Sequence, residues 1–294
     1  MKKCTVQELS SENLDDWVRV YNQGHQRYKG FVPFTEGDLT HMLRNKTIDG
    51  SSMYLALEGV KPAATGCLCF PSRSDTAILT DFSVVPGMNL AASALIEHCL
   101  KLSREKHARG LVNWVPEVAV AASDALGDFT FEPYQVHLIM RNALLLEPEH
   151  TPENGVTVKE INSSEKSHAI PELPQLLREC LDLREVRDIK AKHWLPQVTA
   201  VDDATPNLTL IGFVSKSNRR EAWIQLVDSE GSGLPHIPPS ESLVQNVLAV
   251  LFKKGVRDVK TEIRSDFRVK SPFASADFEV METIYELILP LSHE

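Results

Sequence analysis

The run Thr76-Ala-Ile-Leu-Thr-Asp-Phe-Ser-Val-Val85, the turn Pro86-Gly87-Met88-Asn89 and the run Leu90-Ala-Ala-Ser-Ala-Leu-Ile-Glu-His-Cys-Leu-Lys-Leu102 decide the reading of the chain. A stretch rich in β-branched and apolar residues meets a Pro-Gly turn and passes at once into an amphipathic helix. Leu95, Cys99 and Leu102 fall on one helical stripe, with Glu97 and Lys101 off it. A strand that feeds straight into a helix start leaves several backbone N–H groups unpaired at one spot. Such a spot favours anions, phosphates above all. A ligand site is therefore sought first at this junction of strand, turn and helix.

Working outward from this stretch, Thr5–Leu9 reads as a strand, and a helix through Trp17–Tyr21 follows the acids Asp15 and Asp16. His25 to Phe34 reads as a loop. Thr35, with Asp38 three residues on, comes close to a capping box and opens a second helix to Arg44. Ser52–Glu58 and Ala64–Phe70 read as strands on either side of the turn Gly59–Pro62. After the central helix come a strand at Arg109–Val115, a helix at Glu117–Leu126, and a long strand or hairpin arm at Phe129–Met140. The order is β-α-α-β-β-β-α-β-α-β.

The segment Glu147–Gly155 holds two prolines, three acids and a glycine without periodicity, and reads as a linker. Beyond it the order starts again. Val156–Ile161 echoes Cys4–Leu9, Val198–Val214 echoes Tyr54–Phe70, and Glu221–Val227 echoes Thr76–Phe82. Ser242–Val259 echoes the helix from Ala94 and its following strand, and Phe278–Leu289 echoes Phe129–Met140. The offsets stay within about 144 to 152, as a repeated unit with small insertions requires. The expected fold class is α/β with mixed sheets, in two tandem domains at 1–146 and 155–294.

With 43% hydrophobic and 24% charged residues, the composition is that of a globular protein with ample core. A net charge of −9 argues against a nucleic-acid partner, whose phosphates need a basic face. The N-terminus carries no apolar signal core, and no apolar run is long enough to span a membrane. Five cysteines are an odd number and build no disulfide framework, so a reduced, cytoplasmic protein is expected.

The pattern resembles the GCN5-related N-acetyltransferase (GNAT) superfamily. The resemblance rests on the strand ending Phe82-Ser-Val-Val-Pro86, the helix Ser93-Ala-Leu-Ile-Glu-His-Cys99, the strand after Arg109-Gly110, and the closing Leu126-Gly-Asp-Phe-Thr-Phe-Glu132. It covers nearly all of residues 1–143, and the second half repeats it more weakly, as in a tandem GNAT. The resemblance implies acetyl-CoA as cosubstrate and direct acyl transfer to a small-molecule or peptide amine in a ternary complex. It implies that the pantetheine amides pair with the backbone of Phe82, Ser83 and Val84. The pyrophosphate would rest on Met88, Asn89, Leu90, Ala91 and Ala92. The acceptor amine and the oligomeric state stay open.

Two departures from the family pattern keep a second reading in view, that of a catalytically inactive GNAT-like ligand- or partner-binding protein. Asn89 stands near the family's usual Arg, and Ala91 and Ala92 stand in for its glycines. Ser123 or Asp124 occupies the place of the family's usual Tyr acid. In the second half Pro235–Ser242 supplies prolines and Glu241 at the loop, which suits phosphate poorly. Asp81 is the candidate base, beside the expected thioester. Tyr28 is the candidate acid, on a segment with His25, Arg27 and Lys29 that would face the acceptor. Cys67 and Cys69 lie on one side of a strand and read as packing residues. No metal site is expected, since no second Cys/His pair has ligand spacing.

Overall fold

The computed structural model describes residues 3–26, 31–72, 74–117, 126–148, 155–161, 183–190, 192–228 and 235–291. The chain forms two compact units. The first gathers Met1–Gln135, Cys180–Val186 and Ile284–Glu294; the second gathers Val136–Glu179 and Arg187–Thr283.

The first unit contains β1 (Cys4–Glu8), α1 (Leu14–His25), α2 (Glu36–Arg44), β2 (Met53–Glu58), β3 (Lys61–Cys69), β4 (Thr76–Val84), α3 (Asn89–Glu105) and β5 (Gly110–Pro116). Strands β1 to β4 are joined antiparallel in chain order. Strand β5 lies parallel to β4, reached through the α3 crossover. Helix α3 buries Ala91 and Ala92, Leu95 and Ile96, Cys99 and Leu100, and Ser103. That i, i+4 rhythm in adjacent pairs lays one broad apolar face on the sheet. Leu102, expected on this stripe, lies at its half-buried flank, because the stripe is centred on the pairs 95/96 and 99/100.

Helix α1 is fixed by Trp17, which is fully buried and donates its indole N–H to the Tyr54 carbonyl at 3.0 Å. Its last turn corrects the sequence reading. His25 is a buried helical residue, not part of a loop, because Tyr21 one turn earlier stacks on its ring. Helix α2 opens with the expected reciprocal cap. Thr35 Oγ1 accepts from the Asp38 N–H at 3.1 Å, and Asp38 Oδ2 accepts from the Thr35 N–H at 2.8 Å.

The second unit repeats the plan. It contains most of β6 (Glu132–Ala143), then β7 (Val156–Glu160), β8 (Trp194–Asp202), β9 (Thr205–Ser215), β10 (Glu221–Asp228), α4 (Glu241–Lys253), β11 (Asp258–Arg264), α5 (Phe267–Ser275) and the start of β12 (Glu279–Pro290). Strands β7 to β10 are antiparallel in chain order, and β11 lies parallel to β10. The helix expected at Glu117–Leu126 falls almost wholly outside the described residues.

The closing strands are exchanged. In the first unit the strand beside β5 is Ile284–Pro290 of β12, paired antiparallel with Pro116–Gly110. In the second unit the strand beside β11 is His137–Ala143 of β6, paired antiparallel with Arg264–Asp258. The sequence pattern lets Phe129–Met140 close the first half, and the structure corrects this. Alternation along a strand specifies which side chains face the core but not which free edge receives it. Leu138 and Met140 enter the second unit's core, while Leu287 and Leu289 pack against the first.

A protease site engineered into residues 149–154 provides a test. After cleavage the two fragments are expected to co-elute on native size exclusion and to separate only in denaturant. Each fragment carries a strand that belongs to the other's unit.

Candidate functional site

The geometry of the first unit's site begins with a bulge in β4. The β3–β4 register runs Thr65↔Ser83 and then Cys67↔Thr80, so Asp81 and Phe82 together oppose Gly66. Asp81 adopts φ +55. This left-handed conformation costs most side chains roughly 1–2 kcal/mol and is best tolerated by Gly, Asn and Asp. Gly66 lies opposite it, and a Cβ there would stand 2.8 Å from Leu79 Cδ1, so that leucine would have to shift. The extra residue reverses the alternation. Ala77, Leu79, Phe82 and Val84 face the core under α3, while Ser83 faces α1.

The bulge coincides with the end of a ladder. Pairing between β4 and β5 runs from Thr76↔Gly110 to Leu79↔Asn113 and stops. Beyond that register, Thr80–Val84 and Trp114–Pro116 continue without pairing to each other. The backbone of Phe82, Ser83 and Val84 thus borders an open seam on its β5 side.

Helix α3 starts directly past the end of this seam. Its N-cap is Met88, which offers no side-chain hydrogen bond, and its first turn holds no acid. Every other described helix of at least two turns starts with a capping side chain or an acid in its first turn. Gly87, at φ +82, makes the turn, Asn89 and Leu90 are exposed, and Ala91 and Ala92 are fully buried. The small side chains set the helix start close against the sheet, and its first N–H groups have no acceptor within the helix. In the second turn Ser93 donates to the Asn89 carbonyl at 3.0 Å and stands 3.5 Å from Asp128 Oδ2.

On the sheet face that carries α1, a recess of about 340 Å³, part of it open solvent, is lined by His25, Thr80, Asp81, Phe82, Trp114, Pro116, Arg184 and Ile284. Asp81 is buried, and its carboxylate is held from several sides. Oδ1 accepts from the Leu183 N–H at 2.9 Å, and Oδ2 accepts from Thr80 Oγ1 at 3.1 Å. The Cys67 thiol also hydrogen-bonds to it; burial, with the Asp81 charge added, pushes that thiol well above its usual range. His25 Nδ1 lies 2.9 Å from the Tyr21 carbonyl and 2.9 Å from Ser83 Oγ. Gly24 lets α1 come this close, because a Cβ there would sit 2.6 Å from Ser83 Cβ.

Of the residues singled out from the sequence, Asp81 lies in the recess, Phe82, Ser83 and Val84 along the seam, and Met88 to Ala92 at the helix start. Tyr28, Arg27 and Lys29 lie outside the described residues, as do Ser123 and Asp124. Trp114, Arg184 and Ile284 were missed, and His25 was misplaced. Arg184 and Ile284 come from chain segments far from Asp81, and nothing in the sequence ties them to it. His98 packs edge-on to Tyr54, with ring centroids 5.0 Å apart, and burial followed by Lys101 lowers its pKa. Among the described residues no cluster of His, Cys, Asp or Glu has the arrangement of a metal site.

The corresponding positions of the second unit are built differently. The β9–β10 register from Ala222↔Val214 to Asp228↔Leu208 has no bulge. Leu226, the repeat counterpart of Asp81, is buried in the core. Ser240 caps α4 by accepting from the Leu243 N–H at 3.1 Å, and Glu241 adds an acid to the first turn. A recess of about 260 Å³ in this unit is lined by Lys192, Trp194, Glu221, Ala222, Trp223, Asp258 and Lys260. Burial opposes ionisation of Glu221. Lys192 at 3.0 Å and Asn218 at 2.8 Å outweigh it and hold the carboxyl below its ordinary range.

No protein-family model matches the sequence, and no curated protein matches it by sequence. Solved structures do match it in fold. A GCN5-related N-acetyltransferase from Sphaerobacter thermophilus aligns with TM-score 0.65 at 15% identity, over 98% of this chain and 95% of that one. A tandem GNAT protein from the clavulanic acid biosynthesis pathway aligns with TM-score 0.61 at 14% identity, over 99% and 100% of the two chains. A GCN5-related glucosamine N-acetyltransferase region of a fungal multi-domain GH3 β-N-acetylglucosaminidase aligns with TM-score 0.61 at 10% identity, over 98% of this chain and 38% of that one. The chain has the tandem GNAT fold.

Two measurements probe this packing. Gly24→Ala is expected to cost about 1–3 kcal/mol, as overpacking does, read as a fall in Tm of several degrees. In the native protein at pH 8, Cys67 and Cys99 are expected to resist a thiol reagent until unfolding. Burial pushes the Cys99 thiol up to about 12 and Cys67 well above its usual value, so neither supplies thiolate.

Proposed function

We propose, with the tandem GNAT fold as premise, that the first unit is an acetyl-CoA-dependent N-acetyltransferase site acting on a small-molecule or peptide amine. The observation that carries this reading is the uncapped start of α3 at the end of the open β4–β5 seam. Backbone N–H groups at Asn89, Leu90 and Ala91, with the helix dipole behind them, suit a pyrophosphate. The free backbone edge of Phe82–Val84 suits a ligand's amides. Bound acetyl-CoA supplies the activated acyl carbonyl.

The residues of the chain then have three tasks. The seam and the helix start hold the cosubstrate in one orientation, so that an amine in the recess meets it as an intramolecular partner. Asp81 takes the proton from the attacking amine, directly or through one water. The Leu183 N–H and Thr80 Oγ1 fix its carboxylate for this work. Tyr28 is the acid of this scheme, returning a proton to the departing thiolate.

The second unit serves as a non-binding copy. Ser240 already satisfies the α4 start, Glu241 repels phosphate, and Pro238 and Pro239 supply no N–H groups. One observation favours the alternative in which the whole chain binds without catalysing: Asp128 brings a negative charge to 3.5 Å from Ser93, within a turn of the phosphate position.

Titration calorimetry with acetyl-CoA tests the reading, and absence of binding at high micromolar ligand would end it. Asn89→Pro removes a backbone donor at a position where proline is compatible with a helix start. It is expected to weaken binding about tenfold or more. Asn89→Ala keeps that N–H and is expected to bind nearly as the wild type does. Asp81→Asn should leave acetyl-CoA affinity in place and lower kcat by about 10²–10⁴, the usual weight of a general base. Binding with no thiol release across an amine panel would favour the inactive alternative.

A further inference from the structure

Among the buried polar groups that the scheme above leaves without a task, one stands beside the seam. Asn113 is fully buried, and among the described residues neither its Nδ2 nor its Oδ1 has a hydrogen-bonding partner. Its register neighbours are Leu79 on β4 and Leu287 on β12, both apolar. A buried amide with no partner costs about 1–3 kcal/mol. Protein interiors seldom keep such a group without a use for it.

Its position suggests the use. Leu79↔Asn113 is the last register pair before β4 and β5 stop pairing. Alternation along β5 puts Asn113 on the same face as Leu111 and Val115, which belong to the core beneath α3. The amide therefore stands at the closed end of the seam, on the side of the sheet where α3 begins. A ligand whose phosphates rest at Asn89–Ala91 and whose arm follows Phe82–Val84 brings its far end to this point.

We infer that Asn113 is a specificity residue that hydrogen-bonds the acyl end of the bound thioester. An amide offers both an N–H donor for a carbonyl oxygen and a carbonyl acceptor for a polar substituent on the acyl chain. It therefore favours short acyl groups that present oxygen over purely hydrocarbon ones. The inference rests on the acyl-CoA reading and deepens it from cosubstrate class to the group transferred. Thr261 fills the same last-pair register in the second unit, opposite Ile224, and is also buried, its hydroxyl without a hydrogen-bonding partner among the described residues. Because that unit's helix start is capped, Thr261 serves as the internal control.

The experiment titrates acetyl-CoA and CoA separately into wild type, Asn113→Leu and Thr261→Val, and records the Tm of each free protein. Asn113→Leu is expected to melt at or above the wild-type temperature, since it removes an unpaired amide. It is expected to lose about tenfold in acetyl-CoA affinity while binding CoA as before. Thr261→Val should change neither affinity. Asn113→Thr copies the second unit's residue with little change in bulk, and it is expected to show the same selective loss if Asn113→Leu does not fold. An unchanged ratio of acetyl-CoA to CoA affinity in the Asn113 variants overturns the inference alone, whether both affinities hold or both fall. Equal loss in Thr261→Val overturns it as well. If the wild type binds neither compound, the transferase reading itself fails and this inference falls with it.

Discussion

The β4–β5 ladder ends at Leu79↔Asn113, and the candidate site of the first unit depends on that ending. A parallel pair that stayed zipped to Val84 would use up the backbone edge of Phe82–Val84 and leave no seam. The bulge at Asp81–Phe82 sits at the point where pairing stops. It adds one residue to β4, sharpens the local twist, and aims an acid at a face that regular alternation would not have given it. The left-handed backbone of Asp81 is the local cost. The Leu183 N–H and the Thr80 hydroxyl hold the carboxylate of that strained residue in one place.

The two units show what this arrangement requires, because the second has the same topology without it. Strand β10 runs unbulged against β9, a leucine stands at the counterpart of Asp81, and α4 is capped by its own Ser240. Each difference is local and chemically small. A serine at a helix start satisfies an N–H group that would otherwise face a ligand. A glutamate beside it replaces attraction for anions with repulsion. One fold can thus carry a candidate site in one copy and a self-satisfied core in the other.

The exchanged closing strands give the first unit two pieces of distant chain, Ile284–Pro290 beside β5 and Leu183–Arg184 at Asp81. Both line or support the recess. The candidate base is therefore held by a backbone N–H about a hundred residues away in sequence, and the recess is closed by a residue from the last strand. The isolated first half of the sequence does not contain a complete site.

Much of this was legible without coordinates. The repeat, the order of strands and helices, the capping box at Thr35 and the strand–turn–helix junction at Thr76–Leu102 follow from periodicity and turn chemistry. These are local properties, and local sequence carries them. Asp81 could be named from its place on the strand, but not its bulge, because a register shift depends on the facing strand. His25 was misread for a similar reason: stacking on Tyr21 and contact with Ser83 extend the helix through it. The strand exchange and the arrival of Arg184 were decided only by tertiary structure. A free sheet edge accepts any strand of matching pattern, and chain connectivity and core packing choose among them.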